Sequence, residues 1–292
     1  MKTVLISHFV PGMKIEGFYY CVEKRILKKK DGTKYLSLLL QDKSGSIRAR
    51  LWDNIDGFSK KFSSPNPVAI KGEIYQYGDN LMIKIRNINF ASIEKYSKFG
   101  FNPAELIPES NINPTKLWEV LLNEVSLISK NHFKILVLKI LKDQKNKFIV
   151  FPASISYQYN YQNGLLAQTI SMVNSAKLLR KNYEFDYDLL LSGISLHQIG
   201  KLYSINVGFS NSSKSSNEKA LLGNAILSKD LVGEYINQIP TFPKEDKIKL
   251  DHLILSYQGR REWMSPIEPQ TIEAILLHTI SYLDSQINIL KR

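Results

Sequence analysis

Between about residues 14 and 90, apolar and polar side chains alternate with a period of two, interrupted by short polar clusters. That period predicts strands near 14–27, 34–42, 46–53, 67–77 and 81–90. Lys30-Asp31-Gly32-Thr33, Asp42-Lys43-Ser44-Gly45 and Tyr77-Gly78-Asp79-Asn80 supply the Gly, Asn and Asp residues that tight turns require. Residues 54–61 read as a short irregular or helical piece. Residues 91–115 hold Pro103, Pro108 and Pro114 among polar residues, keep no period, and read as a linker. From Lys116 the spacing becomes helical: Leu117, Val120, Leu121, Val125 and Ile128 share one face, as do Phe133, Leu136, Val137, Ile140 and Leu141. Further helices are predicted near 164–182, 186–199, 218–238, 244–256 and 269–290, the last with Pro269 in its first turn. The polar stretch 210–217 reads as an exposed loop.

Five strands with a short piece between the third and fourth make the layout of an OB-fold barrel. An SH3-like barrel competes, because periodicity does not fix strand order. The chain therefore reads as a multidomain α+β protein: a five-stranded OB-fold barrel over 1–92, a linker over 93–115 and an all-α domain over 116–292. A length of 292 residues fits two cores better than one. No apolar run approaches the roughly 20 residues that span a bilayer, and no leader with a cleavage site of small residues opens the sequence, so the expectation is a cytoplasmic protein without a membrane partner. Cys21, the single cysteine, has no partner for an internal disulfide and reads as a small buried strand residue.

The net charge of +12 is unevenly placed: residues 1–100 hold 18 basic and 9 acidic side chains, for +9, whereas 151–292 hold 14 and 13, for +1. Charge confined to one domain points to a polyanion partner for that domain. Alternation puts Leu36, Leu38, Leu40, Ile47, Ala49 and Leu51 inside, and Tyr35, Ser37, Arg48, Arg50 and Trp52 outside. Guanidinium groups neutralise phosphates and aromatic rings stack on bases, so this face suits single-stranded RNA or DNA. Lys24, Lys28, Lys29, Lys30, Lys34, Lys84 and Arg86 extend the basic track. A solvated basic barrel whose outer aromatics pack on the second domain is the plainer alternative.

Tyr35-Leu36-Ser37-Leu38-Leu39-Leu40-Gln41-Asp42-Lys43-Ser44-Gly45-Ser46-Ile47 and Leu51-Trp52-Asp53 are similar to the OB-fold segment of the bacterial YhaM-type exoribonucleases. Members of that family join an OB-fold to an HD domain and degrade RNA, in some cases single-stranded DNA, from the 3′ end. Asn163-Gly164-Leu165-Leu166, Leu196-His197-Gln198-Ile199-Gly200-Lys201, Leu221-Leu222-Gly223-Asn224, Ser256-Tyr257-Gln258-Gly259 and Leu277-His278-Thr279-Ile280-Ser281-Tyr282-Leu283-Asp284 follow the family in order. The resemblance spans nearly the whole chain and implies that the all-α domain is HD-like.

The departures from the family pattern fall together. Where its metal-binding residues stand, this chain has Gln168, Gln198 beside His197, Asn224, Tyr257, Gln258 and Ser281. A two-metal phosphodiesterase needs carboxylates and neutral imidazoles to hold its cations, manganese or another divalent ion in this family, and amides are weak ligands. The resemblance thus implies a pseudo-nuclease with no intact catalytic set, no cofactor, and a helical domain serving as scaffold, homo-oligomer contact or dock for a protein partner. His197, His252 and His278 are the candidates for a three-histidine metal site, against the plainer reading of satisfied core histidines. Two other readings stay open: a residual metal-dependent 3′–5′ exonuclease or phosphohydrolase, and a pure interaction protein.

Overall fold

A computed structural model describes residues 3–29, 31–108, 113–154, 157–204 and 215–290. They fall into two compact units, residues up to 108 and residues from 113. The first unit holds β1 (Lys14–Lys28), β2 (Lys34–Asp42), β3 (Gly45–Leu51), α1 (Ile55–Ser59), β4 (Asn66–Tyr77) and β5 (Asn80–Phe90). Every strand expected from the alternation is present, within about two residues of its expected ends. The strands close a barrel in the order β1-β2-β3-β5-β4. Strand β1 is antiparallel to β2 and β4, while β3 and β5 run parallel. This order, with α1 between β3 and β4, makes the barrel an OB-fold and decides between the two arrangements that periodicity left open.

One long strand closes both sides. Residues 14–21 of β1 pair with β4 and residues 20–28 with β2, with a register shift between Cys21 and Glu23. The extra residue bends the strand so that it turns the corner. Leu36, Leu38, Leu40, Ile47, Ala49 and Leu51 fill the interior with Tyr19, Cys21, Ile70 and Ile83, as the alternation predicts. Burial pushes the Cys21 thiol up to about 12, so the residue behaves as a small apolar core group.

The stretch expected as a linker departs from that reading. Helix α2 (Ile93–Tyr96) and 3₁₀ turns at Ser97–Phe99 and Pro103–Leu106 lie on the outer side of β1. The rings of Phe101 and Tyr96 stand 5.0 and 5.6 Å from that of Phe18. Lys43 pairs with Glu105 at 2.8 Å. Phe18 and Tyr20 are therefore as buried as the inward residues of the same strand. Pro103 and Pro114 open elements, a 3₁₀ turn and α3 (Pro114–Ser126), and the few apolar residues between them are too widely spaced to show a period.

Asp42 ties the β2–β3 turn to the segment before β1. Its Oδ2 accepts from the Ile6 amide at 2.7 Å, and its Oδ1 accepts from the Ser44 amide at 2.7 Å, the Ser44 hydroxyl at 2.7 Å and the Gly45 amide at 3.2 Å. The carboxylate is almost fully buried, so these donors have little access to water.

The second unit holds α3 (Pro114–Ser126), α4 (Asn131–Phe148), α5 (Gly164–Leu179), α6 (Tyr187–Leu196), α7 (Lys201–Ser204), α8 (Ser215–Ile236), α9 (Lys244–Ser256) and α10 (Ile272–Leu290). Helix α6 is the central one, packed by α4, α5, α9 and α10, and residues 189–196 are buried all round. Gly193 permits this: a Cβ there would stand 2.7 Å from a Leu253 methyl of α9. The face predicted on α4 is buried in full. On α3, Trp118 takes the buried place expected for Val120, which is exposed. Helix α10 starts at Ile272 instead of Pro269, because the Thr271 hydroxyl accepts from the Ala274 amide at 3.2 Å and caps the end. Helix α8 is broken at Gly223, whose φ of +76° favours glycine. The loop expected over 210–217 lies outside the described residues as far as 214, and α8 begins at Ser215. Among the described residues no helix is long and apolar enough to cross a membrane.

Asp42→Ala leaves four donors without their acceptor and should destabilise the barrel by about 3 kcal/mol, whereas Asp42→Asn, which keeps one oxygen, should cost about half as much. Urea denaturation of the two variants beside the parent checks the order and the size.

Candidate nucleic-acid interface

Because the Leu36-Leu38-Leu40 and Ile47-Ala49-Leu51 sets point into the barrel, Tyr35, Arg48, Arg50 and Trp52 are carried on its outer face. The parallel pairing of β3 with β5 sets Arg50 opposite Lys84, and β4 lies beyond β5. The guanidinium of Arg50 becomes the centre of an aromatic cluster. It lies 4.4 Å from the Tyr77 ring centroid, 5.6 Å from that of Tyr35 and 5.8 Å from that of Trp52. Tyr35 and Trp52 pack at 4.7 Å with 32° between planes, and the Lys29 ammonium sits 4.2 Å from the Trp52 ring. Tyr75, next along the outward face of β4, donates to the Met82 sulfur at 3.6 Å. Burial raises its phenol pKa, against the pull of the Arg50 charge. A groove of about 620 Å³ runs beside the cluster, lined by Arg48, Arg50, Tyr77, Asn80, Leu39 and Met82.

The rings stay half-exposed or exposed, and Arg50 is half-buried among them. Aromatic faces held by one fixed cation form a platform on which flat bases can stack, with Arg48 and Lys84 exposed nearby for phosphates. Lys28 and Lys34 pair directly across the β1–β2 hairpin. Like charges so placed cost stability, which leaves the hairpin end strongly cationic.

Two of the expected residues are engaged elsewhere. The Lys24 ammonium donates to the carbonyls of Ser59 at 2.5 Å and Phe62 at 2.6 Å, at the end of α1. Desolvation there lowers its pKa. Arg86 is paired with Glu73 at 2.8 Å. Lys30 lies outside the described residues. Tyr75 and Tyr77 join the cluster without having been expected there. The signal was present, since Ile70, Gly72 and Ile74 face inward and the same alternation puts Tyr75 and Tyr77 outward.

In the helical unit, several of the residues that the resemblance placed at metal positions have other partners. His197 donates from Nδ1 to the carbonyls of Ile194 at 3.0 Å and Gly193 at 3.2 Å, leaving Nε2 a buried acceptor with no hydrogen-bond partner. Burial, and secondarily the Lys201 charge, push this imidazole down to about 3. Gln198 accepts at Oε1 from the Lys201 ammonium at 2.7 Å, and that ammonium also donates to the Ala153 carbonyl at 2.6 Å. Burial pushes Lys201 down to about 7. Gln168 donates to Ser285 at 3.3 Å. The Tyr257 ring packs edge-on to His197 at 4.9 Å between centroids, while Asn224 and Gln258 are half-buried and Ser281 is buried.

The three histidines do not gather. His252 accepts from the Gln270 amide at 3.0 Å, and His278 donates to the Tyr257 carbonyl at 3.0 Å. Among the described residues no group of three or more His, Cys, Asp or Glu is placed to hold a metal ion. Asp284 accepts from the Tyr159 hydroxyl at 3.0 Å and from the Ser171 hydroxyl, which joins α10 to α5.

No protein-family model matches the chain. Among solved structures, the second OB-fold domain of replication protein A from Methanococcus maripaludis is similar at 29% identity, over 30% of this chain and 94% of that one, with a TM-score of 0.25. A crystal structure of a domain of the same protein gives 24% identity over 30% and 94%, with a TM-score of 0.27. The mitochondrial single-stranded DNA binding protein Rim1 from S. cerevisiae gives 11% identity over 28% and 95%, with a TM-score of 0.24.

Proposed function

We propose that this protein binds single-stranded nucleic acid on the barrel face around Arg50, and that its helical unit is an HD-like scaffold that has lost metal-dependent hydrolysis. The observation that carries the first half is the cluster of Tyr35, Trp52 and Tyr77 about one guanidinium. Such a platform stacks any base and carries no donor pattern that selects one, so the expected ligand is an unpaired strand of mixed sequence. The excess positive charge of residues 1–100 supplies the phosphate attraction.

The second half rests on the donor set. Around His197 stand amides, a phenol and a serine hydroxyl, and the Gln198 oxygen is already taken by an ammonium. A divalent cation placed there would meet a buried like charge and no carboxylate, so these residues do not fit the two-metal centre of the YhaM-type enzymes.

Fluorescence anisotropy with a labelled single-stranded oligonucleotide tests the binding reading. Trp52→Ala and Arg50→Ala should each weaken binding by about 1–3 kcal/mol, roughly 5- to 150-fold, with or without chelator. Lys24→Ala should lower the melting temperature and leave the affinity unchanged. An unaltered affinity in both cluster variants, or a parent protein that binds no oligonucleotide at low salt, removes the basis of the proposal.

The buried lysine gives a pH signature. Its folded value near 7 lies below its unfolded value of 10.5, so between these limits the unfolded chain binds more protons. Stability should therefore rise with pH from about 7 to 9. Lys201→Met should flatten that slope whatever its offset, read as melting temperature by circular dichroism across the same window. A slope that persists in Lys201→Met would assign the effect to another group.

A further inference from the structure

We propose that the outer face of α10 is a self-association surface, through which two copies of this chain pair about a two-fold axis. Helix α10 is apolar on more than its buried side. Ala274, Leu277, Ile280 and Ser281 face the helical core, yet Ile272, Ile275, Tyr282, Leu283, Ile287 and Leu290 are 43% to 85% exposed. At 100° per residue these six gather on the side opposite the core residues. The two acidic residues of the helix are engaged: Glu273 accepts from the Asp186 amide at 2.9 Å, and Asp284 is bound by Tyr159 and Ser171. The outer face is left with Thr279 and Gln286 as its polar residues and with no charge.

A helix face that meets water ordinarily carries charged side chains, and one apolar all round is ordinarily covered. The patch also runs beyond the helix: Trp263 stacks on Tyr282 at 5.4 Å with 13° between planes, and Met264 beside it is 82% exposed. At roughly 100 Å² apiece, these side chains offer about the ~800 Å² that each partner buries in a standard interface.

The chemistry of the face selects the occupant. The uncharged helix face offers nothing to a nucleic-acid backbone, and the charges at its rim, Arg260 and Glu262 beside Trp263 and Glu268 near Ile275, are of both signs and can pair across a two-fold axis. The face is complementary to itself, and an isologous pair needs no second surface. Ile275 and Tyr282 recur at a seven-residue interval, as do Leu283 and Leu290, which is the spacing of a helix-to-helix seam. Thr279 lies near the middle of the helix, where a two-fold axis between antiparallel copies would pass.

Sedimentation velocity of the full chain across the micromolar range tests the proposal. The parent should sediment at twice the chain mass. Leu283→Glu and Ile275→Lys, both at exposed positions, should sediment as monomers with an unchanged far-ultraviolet circular dichroism spectrum and unchanged oligonucleotide affinity per chain. Thr279→Cys should be trapped as a covalent dimer on mild oxidation, with the buried Cys21 silent. A monomeric parent, or a dimer that survives both substitutions, would overturn the proposal. The unchanged affinity keeps this outcome separate from that of the binding reading.

Discussion

The pairing of β3 with β5 is the constraint on which the barrel and its outer face both depend. It is the parallel contact in an otherwise antiparallel sheet, and it joins strands separated by α1 and the whole of β4. Without it the sheet would stay open in the order β3-β2-β1-β4-β5, and Arg50 would face water on an edge strand. With it, Arg50 is set opposite Lys84, and β4 curves far enough round to bring Tyr77 over the guanidinium. Closing so long a loop costs entropy that local contacts do not return. The return comes from burying Ala49, Leu51, Ile83 and Ile85 in the common interior. The cluster is therefore a consequence of barrel closure more than of any one strand.

This explains which parts of the molecule could be read from its residues. Alternation is a local property, so strand positions and the inward identity of Leu36, Leu38 and Leu40 were available from spacing alone. Strand order is not local, and with it went the meeting of Tyr75 and Tyr77 with Arg50. Lys24 shows the converse limit: an outward lysine in a basic strand reads as a ligand for phosphate, yet its ammonium finds two carbonyls at the end of α1. The stretch after β5 was misread for a third reason. Phe101 and Tyr96 bury against a single aromatic, Phe18, and a contact of this kind leaves no period to detect.

In the helical unit the governing effect is burial without water. A carboxylate and several imidazoles can share a dry pocket when a divalent cation balances them; amides need no such balance. Here His197 and Lys201 are both driven toward their neutral forms, the first by burial and the neighbouring charge, the second by burial alone. Gln198 gives the lysine an acceptor, and Ala153 a second. The buried ammonium is thus given acceptors by the chain itself, as a buried donor requires. That lysine was quoted in the sequence only as part of a motif, because its burial depends on the packing of α7 against α8.

The central claim, that bases stack on the rings around Arg50, is tested most directly by photocrosslinking a 5-bromouracil-substituted single strand to the full chain and mapping the adducts by mass spectrometry. The account predicts adducts on Tyr35, Trp52 or Tyr77, lost when Arg50 is replaced by alanine. Adducts confined to the helical unit, or an unchanged pattern in that variant, would contradict it.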